Sequence, residues 1–329
     1  MNQTDLFNVT KHEDHAETYA CNNPFYPFTY PQRLALHIMA IPVTVFTIVY
    51  NFAVVAIFVT TTNFLRQPHQ LYFFNLAICD LIIGLVALPS RLVQDLYGCW
   101  PLPDAFCRMY KILDWVVSSE IAGNIILIAF LRYDVICEGA ARREESFARV
   151  ATKILQTWII NAIIFGPVQF LDMWTGLRLA KKGQCSNEFF QVPILANFLV
   201  VLGLFPPVIV VLLNILASCR KKRITQSVVV VSLSACLELH KALQELREER
   251  VRKQMRTMLL LTLSFLITTC PISLTTIMSF ADSTLIDIPV SLLLLYFLYF
   301  NSFFNAVIYH NPQDILSLSR PLIRARFSA

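Results

Sequence analysis

Two carboxylic acids, Asp114 and Glu120, lie in an otherwise apolar stretch, residues 111–120, with the sequence KILDWVVSSE. An ionised carboxylate inside a membrane-spanning helix costs a few kcal/mol, so such a group usually faces a cavity or a partner. Six residues turn an α-helix by about 240°, which points the two side chains to different surroundings. We expect Glu120 to be a protonated or hydrogen-bonded carboxyl at a contact between helices.

Asp114 shares its helix face with a basic residue. Arg132 follows Asp114 by 18 residues, or about five helical turns, which separates the two by roughly 27 Å. That distance is close to the thickness of the hydrocarbon core, so the acid and the base would lie near opposite membrane surfaces.

Two nearby cations are alternative partners for Asp114 within the protein. Arg91 lies eleven residues beyond Asp80, about three turns, and should point into the same cavity. Lys111 lies one turn before Asp114. Asp95 competes for Arg91 because the two stand at i, i+4 spacing.

The elements that must position these side chains are membrane helices. Of 329 residues, 56% are hydrophobic and 15% are charged, with a mean hydropathy of +0.57. A soluble domain carries roughly 25% charged residues, and the apolar runs are too long for barrel strands. Seven apolar blocks have the length of a span, at about 34–61, 70–97, 104–137, 150–174, 191–218, 253–281 and 287–310.

Charge distribution predicts the orientation of the chain. Basic residues follow the first, third, fifth and seventh blocks, including the run CRKKR at 219–223, whereas the amino-terminal tail is mostly acidic. By the positive-inside rule the amino terminus is extracellular, which agrees with the glycosylation sequons at Asn2 and Asn8. We predict a tail at 1–33, a plasma-membrane bundle of seven helices at 34–310, and an amphipathic eighth helix with a cytoplasmic tail at 311–329.

The segment before the sixth block, LELHKALQELREERVRKQMR, is rich in strong helix formers with opposite charges at i, i+4. We interpret it as a solvated helical extension of the sixth span, with a mobile amphipathic loop as the alternative.

Several short motifs lie along the blocks, at characteristic positions within the predicted spans. They are Asn51 in YNFAVV, NLAICD at 75–80, Trp100 with Cys107, LRY at 131–133, Trp158, Phe205–Pro206, Phe265 with Pro271, and NSFFNAVIY at 301–309. Together they resemble the motifs of rhodopsin-family (class A) G-protein-coupled receptors over nearly the whole chain. The resemblance implies an all-α bundle of seven transmembrane helices, an extracellular small-molecule ligand and a heterotrimeric G-protein partner.

Within that family, an acid seven residues after the third-span cysteine resembles the amine-binding acid of aminergic receptors. Tyr299 occupies the position of a tyrosine that hydrogen-bonds this acid, and Asn214 with NSFFN is similar to histamine receptors. The resemblance therefore implies a histamine-like biogenic amine. The ligand-binding residues it implies are Asp114, Trp115, Ser118, Tyr299, Tyr296 and Ser273.

The resemblance also implies a switching core and a coupling end. The switch residues, with a sodium ion near Asp80 as the one possible cofactor, are Asp80, Asn301, Asn305, Phe265 and Pro271. The coupling residues are Arg132, Tyr133 and Tyr309.

Four positions depart from the family pattern: Leu131 replaces the acid beside Arg132, and Ile121, Thr269 and Ala306 replace a serine, a tryptophan and a proline. Asp134 could partly compensate for the missing acid. An arginine without its acid would be less restrained, so we predict raised basal activity.

Four cysteines fall in the predicted external segments: Cys21, Cys99, Cys107 and Cys185. Four cysteines allow three connectivities. The pairing we favour joins Cys107 to Cys185, with Cys21 and Cys99 as a possible second bridge.

Other functions are alternatives to an amine receptor. An orphan or chemosensory class A receptor for a non-amine ligand, with weak or constitutive coupling, fits the divergent switch positions. An ion-coupled transporter is more remote, because the chain has eight glycines and no internal symmetry. No nucleophile–base or metal motif points to an enzyme, and the expected partners are the ligand, the G-protein and membrane lipid, with no nucleic acid.

Overall fold

The computed structural model describes residues 29–60, 68–138, 145–167, 185, 205–220, 238–281 and 288–309. Seven helices lie in these ranges. They are α1 (Tyr30–Thr60), α2 (Gln70–Tyr97), α3 (Asp104–Glu138), α4 (Phe147–Phe165), α5 (Phe205–Arg220), α6 (Glu238–Ala281) and α7 (Ile288–Tyr309).

Each helix falls on one of the seven predicted blocks, and the all-α membrane bundle is confirmed. The helical extension before the sixth span is also confirmed, because α6 begins at Glu238. The predicted tail, the sequons at Asn2 and Asn8, and the eighth helix lie outside the described residues.

Within the described ranges, four helices are long and apolar enough to cross a membrane: Pro31–Thr60, Gln70–Tyr97, Asp104–Ile136 and Met255–Met278. Their large apolar side chains point outward, as at Met39 and Val59, which are 68% and 72% exposed. By contrast, Asn51 and Asp80 are completely buried. A lipid solvent favours this reversal of the usual pattern, because polar side chains can be satisfied only inside the bundle.

The third helix, α3, lies at the centre of the bundle, in contact with α2, α4 and α6. Its buried residues Val117, Ile125 and Ile128 pack in one core with Leu76 of α2 and Leu261 of α6. This central position brings the polar side chains of α3 within reach of four neighbouring helices, α2, α4, α5 and α7, as the site contacts below show.

A π-helical turn, Ile83–Ala87, divides α2 into Gln70–Ile82 and Leu88–Tyr97. Pro89 follows the turn by two residues and lacks the N–H that a regular helix would use at this point. The wider turn changes the phase of the helix, so the second half of α2 presents different residues to the bundle than a regular helix would. Gly98, with a φ of 71°, ends the helix in a conformation that glycine adopts without strain.

A disulfide joins Cys107 at the start of α3 to Cys185, as predicted. We call this end of the molecule the bridged end. Cys99 also forms a disulfide, whereas its predicted partner Cys21 lies outside the described residues.

Candidate functional site

The predicted contact between Tyr299 and Asp114 is present near the bridged end. The Tyr299 hydroxyl lies 3.0 Å from each carboxylate oxygen of Asp114 and donates its hydrogen bond to them. Tyr299 is buried, while Asp114 is half-buried. Within the described part of the chain, no cation forms an ion pair with this carboxylate. A half-buried negative charge with a single hydroxyl partner is a suitable counter-ion for a positively charged group.

Of its two predicted partners, Asp95 and Asp114, Arg91 forms its ion pair with Asp95. The Arg91 Nη2 and Nε atoms lie 2.9 and 3.1 Å from the two oxygens of Asp95, so the pair is bidentate. Asp95 is completely buried, and the Tyr296 hydroxyl donates to its Oδ2 at 2.7 Å. Arg91 is close enough to Asp114 for direct electrostatic attraction, but its ion pair is with Asp95.

The other predicted ligand residues are distributed over three helices. Tyr296 contacts Asp95, a different acid from the one that Tyr299 contacts. Trp115 stacks on Phe165 of α4 with ring centroids 5.8 Å apart, so this side chain lies at the α3–α4 contact. Ser118 and Ser273 are half-buried on α3 and α6. Ligand contacts by these residues stay predictions.

The predicted switch residues form a polar layer in the middle of the bundle. Asn305 Nδ2 of α7 donates to the completely buried Asp80 of α2, at 3.2 Å from Oδ2. The side-chain oxygen of Asn301 lies 3.4 Å from the hydroxyl of Thr268, and Phe265 is buried nearby in the core. The side chains of Asn301, Asn305, Thr268 and Asp80 therefore join α7 to α6 and to α2.

A sodium ion near Asp80 stays a prediction, and the donor set is suitable for it. The side-chain oxygen of Asn305 is buried and has no hydrogen-bond donor among the described residues. A carboxylate and a free amide oxygen are ligands that hard cations prefer. Ile121, which replaces the family's serine, is buried and supplies no oxygen.

Arg132 contacts a neutral amide near the end opposite the bridge. Its Nη1 donates to the side-chain oxygen of Asn214 on α5, and Asn214 Nδ2 donates to the Val210 carbonyl at 2.8 Å. Across the described ranges no carboxylate forms an ion pair with Arg132. The suggested compensation by Asp134 is therefore wrong, and Leu131 is buried where the family has an acid.

The other two predicted coupling residues are Tyr133 and Tyr309. Tyr133 is half-buried on α3, and its ring lies 6.4 Å from that of Phe130. The side chain of Tyr309 lies outside the described residues.

Glu120 is the centre of a network that joins three helices. It is completely buried. Asn75 of α2 and Thr157 of α4 donate to its Oε1 at 3.0 and 2.8 Å, and Asn161 donates to Oε2 at 2.9 Å. Trp158 donates in turn to the Asn75 oxygen at 2.9 Å. The prediction of a hydrogen-bonded carboxyl between helices is confirmed.

Reasoning from the sequence missed the partners of Glu120 and the partner of Arg132. Thr157 and Asn161 stand at i, i+4 in an apolar helix, a spacing that places two polar side chains on one face. That pattern could have indicated a polar contact of α4. Asn214 is 82 residues from Arg132 in sequence, and no local spacing links them.

Residues 50–309 match the family model described as 7 transmembrane receptor (rhodopsin family). Among similar proteins, the muscarinic acetylcholine receptor M2 of Gallus gallus is 26% identical over 166 residues, covering 50% of this chain and 35% of that protein. The M4 receptor of Gallus gallus is 28% identical over 150 residues, 44% and 30% of the two chains.

A probable muscarinic acetylcholine receptor of Caenorhabditis elegans is 30% identical over 171 residues, covering 51% of this chain and 24% of the relative. The chain thus spans between 24% and 35% of the length of these three relatives.

Proposed function

Since this chain belongs to the rhodopsin family of seven-transmembrane receptors, we propose that it binds a small extracellular amine at Asp114 and activates heterotrimeric G-proteins. The observation that carries the proposal is the Asp114 carboxylate, half-buried and bonded by Tyr299. An ammonium group at this carboxylate gains more than it would in water, because the surroundings have a low dielectric constant. In this proposal the bridged end faces the cell exterior and the Arg132 end faces the G-protein.

The amine in this proposal is histamine-like and carries N–H donors. A charged N–H group forms a charge-assisted hydrogen bond with a carboxylate, whereas a quaternary ammonium group relies on aromatic cages. On α6 the side chains at 269, 272 and 273 are Thr, Ile and Ser, which provide no aromatic ring. The muscarinic names of the relatives make acetylcholine the comparison ligand.

The proposal is tested by measuring nucleotide exchange on several purified G-proteins with the full-length receptor in lipid nanodiscs. Histamine and acetylcholine are added over a concentration series, with receptor-free nanodiscs as the control. We expect histamine to accelerate exchange at lower concentrations than acetylcholine does. Equal exchange with and without either amine, on every G-protein, would contradict an amine-activated receptor.

A second candidate function, signalling without ligand, is favoured by the Arg132 contact. A neutral amide holds an arginine less strongly than a carboxylate does, because hydrogen bonds between two charged groups are stronger. We therefore expect Leu131→Asp to lower ligand-free nucleotide exchange by supplying an acid beside Arg132. Leu131→Asn is the uncharged control, and a receptor whose basal exchange is the same in all three forms would refute the idea.

A further inference from the structure

A buried histidine joins α1 to the second half of α2, the half that leads to the bridged end. The Nδ1 atom of His37 lies 2.6 Å from the Arg33 carbonyl oxygen, one turn earlier on α1, and its Nε2 atom lies 2.7 Å from the Leu92 carbonyl oxygen of α2. The His37 side chain is 6% exposed. Within the described ranges these two carbonyls are its hydrogen-bond partners, and both are acceptors.

Two acceptors require two N–H groups on the ring between them. A neutral imidazole has one N–H and one nitrogen lone pair, whereas an imidazolium donates from both nitrogens. With a neutral ring, one carbonyl oxygen would face a nitrogen lone pair at hydrogen-bond distance, and a buried nitrogen would be left without a donor. The two carbonyls are therefore complementary to the protonated form of His37, and a proton is the ligand that completes the arrangement.

His37 is one of two points at which a side chain of α1 binds the backbone of α2. One turn earlier on α1, the Nη1 atom of Arg33 donates to the Leu96 carbonyl at 3.1 Å. This acceptor also belongs to the second half of α2, which carries the Arg91–Asp95 pair. A neutral His37 ring could hold α2 only by giving up its bond within α1, so loss of the proton weakens this contact between the helices.

Among the described residues, no acid bonds to His37. The other charged residue of α1 is Arg33. Helix α1 packs against α2 and α7; the charged residues in the second half of α2 are Arg91 and Asp95, which pair with each other, and α7 has no acidic or basic residue. The other titratable groups of these three helices are Tyr30, Tyr50, Tyr72, Cys79, Asp80, Tyr97, Tyr296, Tyr299 and Tyr309. A comparison of variants at His37 separates its proton from those of these groups.

We propose that His37 is a proton-binding site, and that its proton fastens α1 to the second half of α2. Histidine is the side chain whose charge ordinarily changes between about pH 5 and pH 8. Because the folded receptor holds this proton between two acceptors that the unfolded chain does not bring together, the stability that depends on His37 is largest at low pH and is lost as the pH rises. The bridged end of the receptor would then respond to acid. The inference does not depend on amine binding, since the proton is its own ligand.

The first test follows thermal unfolding of the full-length receptor in lipid nanodiscs, without ligand, between about pH 5.5 and pH 7.5. His37→Gln keeps a polar side chain but has a single nitrogen and no charge. We expect the wild-type Tm to exceed that of His37→Gln by more at the lower pH than at the higher, with a difference of about 2 °C or more between the two. An excess that stays the same at both pH values would overturn the proposal, because a histidine that only packs between the helices gives that result.

A second measurement observes the proton directly and does not need His37→Gln to fold. In a variant whose other five histidines are each replaced by Gln, histidine-selective NMR of the ring nitrogens reports on His37 alone. The replaced residues are His12, His15, His69, His240 and His310. We expect both ring nitrogens to be protonated at the lower pH and one of them at the higher. A ring that keeps the same charge state over this range, whether neutral or positive, would overturn the proposal.

Discussion

Replacing Asp114 by Asn is expected to lower the affinity for histamine at least about thirtyfold. Removing one member of a desolvated charge pair costs about 2–5 kcal/mol, and 1.4 kcal/mol corresponds to a factor of ten in affinity. Asn is nearly the same size as Asp and still accepts the Tyr299 hydroxyl, so the change isolates the charge. Competition binding on membranes, with receptor number measured by an epitope tag, reads out the effect.

Two further variants separate the charge from its surroundings. Tyr299→Phe removes the hydrogen bond to Asp114 but keeps the ring. A hydrogen bond to a charged group contributes about 1.5–3 kcal/mol, but this bond is present without ligand, so only part of it affects affinity and a smaller loss of about threefold to tenfold is expected. Glu145→Gln removes a negative charge elsewhere, where Glu145 pairs with Lys153 at 2.7 Å. Its histamine affinity should equal that of the wild type. If Asp114→Asn behaves like Glu145→Gln, the counter-ion role is excluded.

The family resemblance predicted the Asp114–Tyr299 contact, whereas for Arg91 the sequence offered two partners, Asp114 and Asp95, without a choice between them. A regular helix of 3.6 residues per turn relates Arg91 to Asp80, and this count directed Arg91 to the cavity of Asp114. The π turn at Ile83–Ala87 lies between the two residues, and its wider winding changes the phase of everything that follows. Arg91 and Asp95 both lie in the regular helix after the turn. The turn therefore does not change their i, i+4 spacing, and they form an ion pair.

Contacts between distant helices were predictable only where the family pattern supplied them. The layer around Asp80 and Asn305 follows that pattern. The Asn214 contact of Arg132 does not, because it depends on how α5 packs beside α3, and side-chain spacing within either helix contains no information about that packing. The surroundings of Glu120 were predictable in kind, since a buried carboxyl needs hydrogen-bond donors, but not in identity.

Glu120 should contribute more to stability than any other single polar side chain of the α2–α3–α4 contact. Replacing it by Ala removes the acceptor of three donors, on the buried Asn75 and on the half-buried Thr157 and Asn161. A buried donor left without a partner costs about 1–3 kcal/mol, so we expect Glu120→Ala to lower the free energy of unfolding by about 3 kcal/mol or more. Thermal unfolding of the purified receptor in detergent, without ligand, measures the change.

Glu120→Gln is the matched control, because it keeps the shape and one acceptor oxygen while its amide replaces the second. The Asn161 amide can turn its oxygen towards that new donor, and we expect the loss to be less than half that of Glu120→Ala. Thr157→Val removes one donor and should cost about 1 kcal/mol. Because Glu120 faces α2 and α4 and has no contact with Tyr299, the folded fraction of Glu120→Ala should bind histamine with wild-type affinity. A wild-type Tm for Glu120→Ala would show that the network contributes no stability, and a loss of histamine affinity at wild-type Tm would place Glu120 in the ligand site instead.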